Sequence, residues 1–136
     1  HGSRMLHAMG AATVPKLTVV VRKGYGAGYF VMCGRAYEPD LIVAWPGAEI
    51  SVMGAEGMVG IAAKKLFRGE EPPPDLKKQL VDTIQGFIDI YRVAGWGLID
   101  DVIDPRDTRR ILAWGLELAQ HKVVERPRRK RGIIPG

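Results

Sequence analysis

The sequence predicts an α/β domain, and three observations carry that prediction. Residues 17–21 (Leu-Thr-Val-Val-Val) and 41–45 (Leu-Ile-Val-Ala-Trp) are apolar almost throughout and rich in β-branched side chains. Such runs suit strands buried on both faces, and hence a parallel or mixed sheet with helices around it. Stretches with apolar residues at helical spacing alternate with these runs. Between the two strands lies a glycine corner, Arg22-Lys23-Gly24-Tyr25-Gly26-Ala27-Gly28, which leads from strand towards helix.

In chain order, residues 2–12 carry Met5, Leu6, Met9 and Ala12 at helical spacing, and Thr13-Val14-Pro15 ends that helix, because the residue before proline disfavours the α conformation. The first strand and the corner follow, then a short helix over about 28–35 that stops near Tyr37-Glu38-Pro39. The second strand ends at Pro46-Gly47. Residues 48–53 read as a third extended run closed by Gly54, and 55–67 as a helix with Met58, Ile61, Ala62 and Leu66 on one stripe. Residues 69–74 form a proline-rich linker with Asp75 as the N-cap of a longer helix over 76–91. Leu76, Leu80, Ile84, Phe87 and Tyr91 fall in register along it, and Gly95-Trp96-Gly97 breaks it. After an apolar-acidic stretch over 98–103, Asp104 and Pro105 start a last helix to about His121 that bears Ile111, Leu112, Leu116 and Ala119.

At 136 residues, 46% hydrophobic and 26% charged, the composition is that of one globular domain. Cys33 is the only cysteine, which excludes an internal disulfide and a cysteine-based zinc site. No apolar run approaches the roughly 20 residues needed to span a bilayer. The first residues lack the charged-then-apolar layout of a signal peptide. The sequence opens on His1 and is already helical in pattern, so it reads as starting inside a larger protein. Net charge is +5, and Arg126, Arg128, Arg129, Lys130 and Arg131 account for it; the other fifteen basic and fifteen acidic residues cancel. That tail reads as a solvated terminus or as a contact for phosphates or acidic partners. Without aromatics for base stacking it points away from nucleic acid.

The corner invites a functional reading. Strand, glycine turn and helix can aim free backbone N–H groups at an anion or a developing oxyanion. The spacing fits neither a dinucleotide fingerprint nor a phosphate-binding P-loop, and a tight, close-packed βα turn explains the same residues. Elsewhere, His1, His7 and His121 are scattered without partners at metal spacing, so no metal site is expected. Cys33 reads as a small buried hydrophobe. Glu49 and Glu56 could serve as paired carboxylates that activate water, or as strand and helix-start residues. Asp100, Asp101, Asp104 and Asp107 lack the EF-hand pattern, and Asp104-Pro105 reads as a helix start. Trp45, Trp96 and Trp114 read as core or interface anchors.

Several motifs in one order give the chain a resemblance. They are Ala12-Thr13-Val14-Pro15-Lys16, Arg22-Lys23-Gly24-Tyr25-Gly26, Ala44-Trp45-Pro46-Gly47-Ala48-Glu49-Ile50, Ser51-Val52-Met53-Gly54-Ala55-Glu56-Gly57 and the run Ile99 through Arg109, with the closing basic tail. Together they resemble the C-terminal part of the second half of the carboxyltransferase subunit of biotin-dependent acyl-CoA carboxylases. The resemblance implies a crotonase-like (ClpP/crotonase) ββα superhelix, here a partial domain over 1–125 followed by the basic tail 126–136. It also implies a carboxybiotin-side half-site, with biotin held on a carrier subunit or domain and not on this chain. The acyl-CoA would be held mainly by the missing first half. Implied partners are the biotin carboxyl carrier, the biotin carboxylase subunit and further copies of the same chain, with neither nucleic acid nor membrane, in the cytoplasm or, in a eukaryote, the mitochondrial matrix.

By position, the family's oxyanion-hole amides fall on Ala27 and Gly28, with Gly26 and Tyr29 completing the biotin-side corner. Phe30 stands where many propionyl- and acetyl-CoA enzymes of the family carry an acid, and implies an altered acyl pocket. The order Gly26-Ala27-Gly28 also differs from the commoner Gly-Gly-Ala. Three functions follow: carboxyl transfer between carboxybiotin and an acyl-CoA, with the reverse-running acyl-CoA decarboxylases beside it; a crotonase-like enoyl-CoA hydratase or isomerase using Glu49 and Glu56; and an assembly module without chemistry.

Overall fold

The structure is a computed structural model that describes residues 2–67 and 72–125. His1, residues 68–71 with the first half of the 69–74 linker, and the basic tail 126–136 lie outside the described residues. Eleven elements follow the order α1 (Gly2–Ala11), β1 (Leu17–Val20), β2 (Lys23–Tyr25), α2 (Gly26–Val31), β3 (Leu41–Ala44), β4 (Glu49–Ser51), α3 (Ala55–Leu66), α4 (Pro74–Phe87), α5 (Ile90–Gly95), β5 (Asp101–Val102) and α6 (Thr108–Leu118). Short 3-10 turns precede β3 and α6, at Arg35–Tyr37 and Pro105–Asp107.

All the strand pairs are parallel, and they make two small sheets. β1, β3 and β5 form one in the order β1-β3-β5, with Leu17 beside Leu41 and Val43 beside Asp101. β2 and β4 form the other, with Tyr25 beside Ser51. The expectation of a strand buried on both faces holds most fully for β3, where all four residues are buried and Ile42 and Ala44 are 0% exposed. Ile42 and Ala44 pack with Val20, Ile50, Ile90, Val93 and Ile99 on one face, while Leu41, Val43 and Ile103 pack on the other. Trp45 is anchored as expected, its indole N–H donating to Thr108 Oγ1 at 2.9 Å across to the start of α6. Trp96 and Trp114 are more than half exposed, so they are not core anchors.

Five local expectations need correction. Lys23–Tyr25 is a strand of its own, because its hydrogen-bonding partner β4 lies some twenty-five residues downstream and leaves no mark on the local pattern. The helix after the corner starts at Gly26 and ends at Val31. Cys33, at φ 67°, turns the chain out of the helix before Arg35. The expected single helix over 76–91 is two. Ile88 and Ile90 turn inward and are buried, and the Asp89 carboxylate accepts from the Tyr91 and Arg92 N–H groups, capping a new helix. At the other end Pro73, not Asp75, occupies the N-cap position, since Pro74 supplies a preset first helical residue. Asp104 does cap, accepting from Arg106 N–H at 2.9 Å, but it caps the 3-10 turn, and α6 follows from Thr108.

Candidate functional site

The glycine corner lies at the junction of β2 and α2. Tyr25 ends the strand in extended conformation (φ −109°, ψ 136°), and Gly26 opens the helix at φ +51°. A side chain at Gly26 would be strained by that φ and would stand 2.8 Å from the Val52 carbonyl oxygen. Two residues on, Gly28 is different. It is exposed, and nothing in the chain lies within 4 Å of where its Cβ would stand. Ala27 is exposed as well. As first-turn residues, Ala27 and Gly28 have N–H groups with no acceptor inside α2. Neither donates to a side chain or to backbone elsewhere among the described residues. The corner therefore presents two adjacent amide donors beside open space.

The flanking aromatics divide by role. Tyr29 points inward: its ring packs on the core and lies against Gly34, where an added Cβ would meet the ring at 2.4 Å, and its hydroxyl accepts from Arg35 N–H at 3.0 Å. Phe30 is 43% exposed and meets the Tyr29 ring edge-on, with ring centroids 5.6 Å apart. Gly26, Ala27, Gly28 and Phe30 thus share the surface, and Tyr29 supports it from beneath.

Side chains from distant elements hold both ends of the corner. Tyr25 donates its hydroxyl to Glu49 on β4, and Gln85 on α4 donates to the other oxygen of Glu49 at 2.7 Å. Burial, then the hydrogen bond to Glu49 and its negative charge, push the Tyr25 hydroxyl up to about 12. Behind the corner, Arg35 pairs with Asp100 at 2.5 Å, and the other Asp100 oxygen accepts the Ile42 N–H at 2.8 Å. Sequence reasoning missed Gln85 and Arg35. Their partners lie 36 and 65 residues away, with no local signal.

The remaining candidates separate from the corner. Both oxygens of Glu49 are engaged, and Glu56 is exposed in the first turn of α3. Cys33 is buried. Among the described residues no three His, Cys, Asp or Glu side chains converge as metal ligands, and no helix is long and apolar enough to cross a membrane. A groove of about 880 Å³ runs between β3, β5 and α6, lined by Val43, Ile103, Arg110, Trp114 and Leu118 among others, and none of residues 26–30 reaches it.

The family model described as "Carboxyl transferase domain" matches residues 1–134. The chain is 44% identical over 136 residues to the methylmalonyl-CoA carboxyltransferase 12S subunit of Propionibacterium freudenreichii subsp. shermanii, covering 99% of this chain and 26% of that protein. It is 38% identical to the methylmalonyl-CoA decarboxylase subunit alpha of Propionigenium modestum, again over 99% of this chain and 26% of the relative. A crystal structure of the hexameric transcarboxylase 12S core with methylmalonyl-coenzyme A and methylmalonic acid bound superimposes with a TM-score of 0.90 at 43% identity, over 100% of this chain and 26% of that one. The architecture is accordingly that of a partial crotonase-like carboxyltransferase domain. The chain spans about a quarter of the length of these relatives.

Proposed function

Because the chain belongs to the carboxyl transferase domain family, we propose that it forms the carboxybiotin side of an acyl-CoA carboxyltransferase active site. The Ala27 and Gly28 amides would form its oxyanion hole. One observation supports this most: Gly28 is exposed, with open space where a side chain would go. The chain's own packing does not call for glycine there, whereas at Gly26 it does. A glycine free of internal constraint fits a place where a ligand closes on the backbone.

Biotin, when presented by its carrier, supplies a ureido group that holds and releases the carboxyl. The residues present fit that group. The Ala27 and Gly28 N–H groups would donate to the ureido oxygen, whose negative charge grows as the carboxyl departs. Fixed amide dipoles stabilise that charge without reorganising, and each such donor contributes about 2.7–4 kcal/mol. Gly26 sets the backbone that aims them. Tyr29 supports the corner through its inward ring, and Phe30 lines the acyl side. No side-chain acid or base of this chain is needed, and the full hydrogen-bonding of Glu49 argues against the hydratase alternative. The relatives named for methylmalonyl- and propionyl-CoA favour a short acyl chain as substrate, with Phe30 tuning which one fits. A separate biotin carboxyl carrier, a biotin carboxylase subunit and further copies of the parent chain complete the assembly. The named decarboxylase relative keeps both directions of transfer within the reading.

The test uses the complete parent chain and follows carboxyl exchange between carboxylated acyl-CoAs and a free biotin analogue, without ATP. Gly28→Val is expected to lower turnover about a hundredfold while leaving the unfolding temperature unchanged. Full activity in that variant would refute the assignment. Phe30→Asp is expected to change the preferred acyl chain and leave the dependence on the biotin analogue in place.

A further inference from the structure

The two amides can act only if the backbone from Tyr25 to Gly28 is held still, and its own elements hold it weakly. β2 is three residues long, and α2 is six residues long with none buried. Tyr25, at the N-cap position of α2, makes no side-chain capping bond. Its side chain runs instead across the small sheet. Tyr25 lies beside Ser51 in the ladder, and Glu49, two residues earlier on β4, shares that face. The Tyr25 hydroxyl donates to one Glu49 oxygen, and Gln85 donates to the other. The Tyr25 ring rests 3.3 Å from where a Cβ on Gly54 would stand, with the Lys23 ammonium 5.9 Å from its centre. Glu49 is fixed in turn by its own N–H, which donates to the Arg22 carbonyl at 2.7 Å, and by a bridge to Asp89.

We propose that Tyr25 and Glu49, backed by Gln85, are positioning residues for the corner amides, joining β2, β4 and α4 into one clamp on Tyr25, the last strand residue before Gly26 and the oxyanion hole. The proposal rests on the carboxyltransferase reading above. It assigns Glu49 a part in the reaction that involves no proton transfer.

The experiment again uses the complete parent chain, with kcat, the KM values for acyl-CoA and for the biotin analogue, and the unfolding temperature measured together. Glu49→Met keeps the bulk and removes both acceptors. Glu49→Gln can turn its carbonyl to Tyr25 and its amide N–H to the Gln85 carbonyl. The expected result is a tenfold or larger fall in kcat for Glu49→Met and for Tyr25→Phe, with the acyl-CoA KM within twofold, while Glu49→Gln keeps more than half of wild-type turnover. Equal activity of the Met and Gln variants, or wild-type turnover in Tyr25→Phe, would overturn the proposal. Should Glu49→Met fail to fold, Gln85→Met decides through the exposed end of the clamp: a threefold or larger fall in kcat supports it and wild-type turnover refutes it. Gly28→Val in the same assay separates the two readings. If it abolishes turnover while Tyr25→Phe and Glu49→Met are unaffected, only the clamp is wrong; if it leaves turnover intact, the oxyanion hole falls and the clamp with it.

Discussion

The two sheets of this domain are built on opposite terms. The β1-β3-β5 sheet is secured by burial: β3 is enclosed on both faces, and helices cover what the strands leave open. The β2-β4 sheet, which carries the glycine corner, has Ile50 as its one buried strand residue, and named side-chain contacts hold it in shape. A region stabilised by apolar area tolerates small shifts, because burial has no direction. A region stabilised by a few hydrogen bonds has one geometry while those bonds last. The second arrangement suits a surface that must offer two amides at fixed positions to something arriving from outside.

Breaking the first sheet should cost most. Ile42→Ala empties a fully buried site and is expected to destabilise by about 2–5 kcal/mol, read as a lower midpoint in urea unfolding. Next comes the backbone of the second sheet. Gly26→Ala places a Cβ at φ +51° against the Val52 carbonyl, with an expected loss of about 1–3 kcal/mol. Gly28→Ala, two residues away, should leave the same midpoint nearly unchanged. Equal effects at the two glycines would erase the distinction between a structural and a ligand-facing position.

A smaller effect appears on alkaline titration. The Tyr25 hydroxyl is raised above its ordinary value of 10.0 to about 12, so the folded state binds that proton more tightly than the unfolded chain does. Its stabilisation is complete below about pH 10 and is lost as pH rises towards 12. Comparing wild type with Tyr25→Phe over pH 9 to 12 should show this sag only in the wild type. The smallest effect belongs to the Asp40–Lys122 pair. Burial raises the Asp40 carboxyl, but the hydrogen bond from Lys122 and the Lys16 N–H outweigh it and leave the group below its ordinary value. That contribution is present at neutral pH and fades as pH falls below about 4, so Asp40→Asn should flatten the acid side of the stability profile by a small, measurable amount.

Among the described residues sixteen large hydrophobic residues stand exposed, among them Val52, Phe30, Trp96 and Leu118; under the proposed function the rest of the parent chain would cover part of this surface. Leu66 and Leu118, 73% and 66% exposed, should tolerate serine in this domain with little loss of stability and fail only where a complete assembly is scored.

The sequence by itself determined the fold class, the two main strands, the corner and the Asp104-capped turn that leads into the last helix. Each follows from neighbours in the chain: β-branched runs, glycine spacing, and an aspartate followed by proline. It also carried enough ordered motifs to indicate the family. Only the tertiary structure decided that Lys23–Tyr25 is a strand, that the helix after Pro74 stops for Asp89, and that Tyr29 faces inward while Phe30 faces out. Those outcomes depend on β4, on the inward turn of Ile88 and Ile90, and on the space left by Gly34. The same is true of the clamps: Tyr25 meets Glu49, and Arg35 meets Asp100, across 24 and 65 residues. A hydrogen bond between residues so far apart leaves no periodicity to read, because it comes into being only when the sheets form.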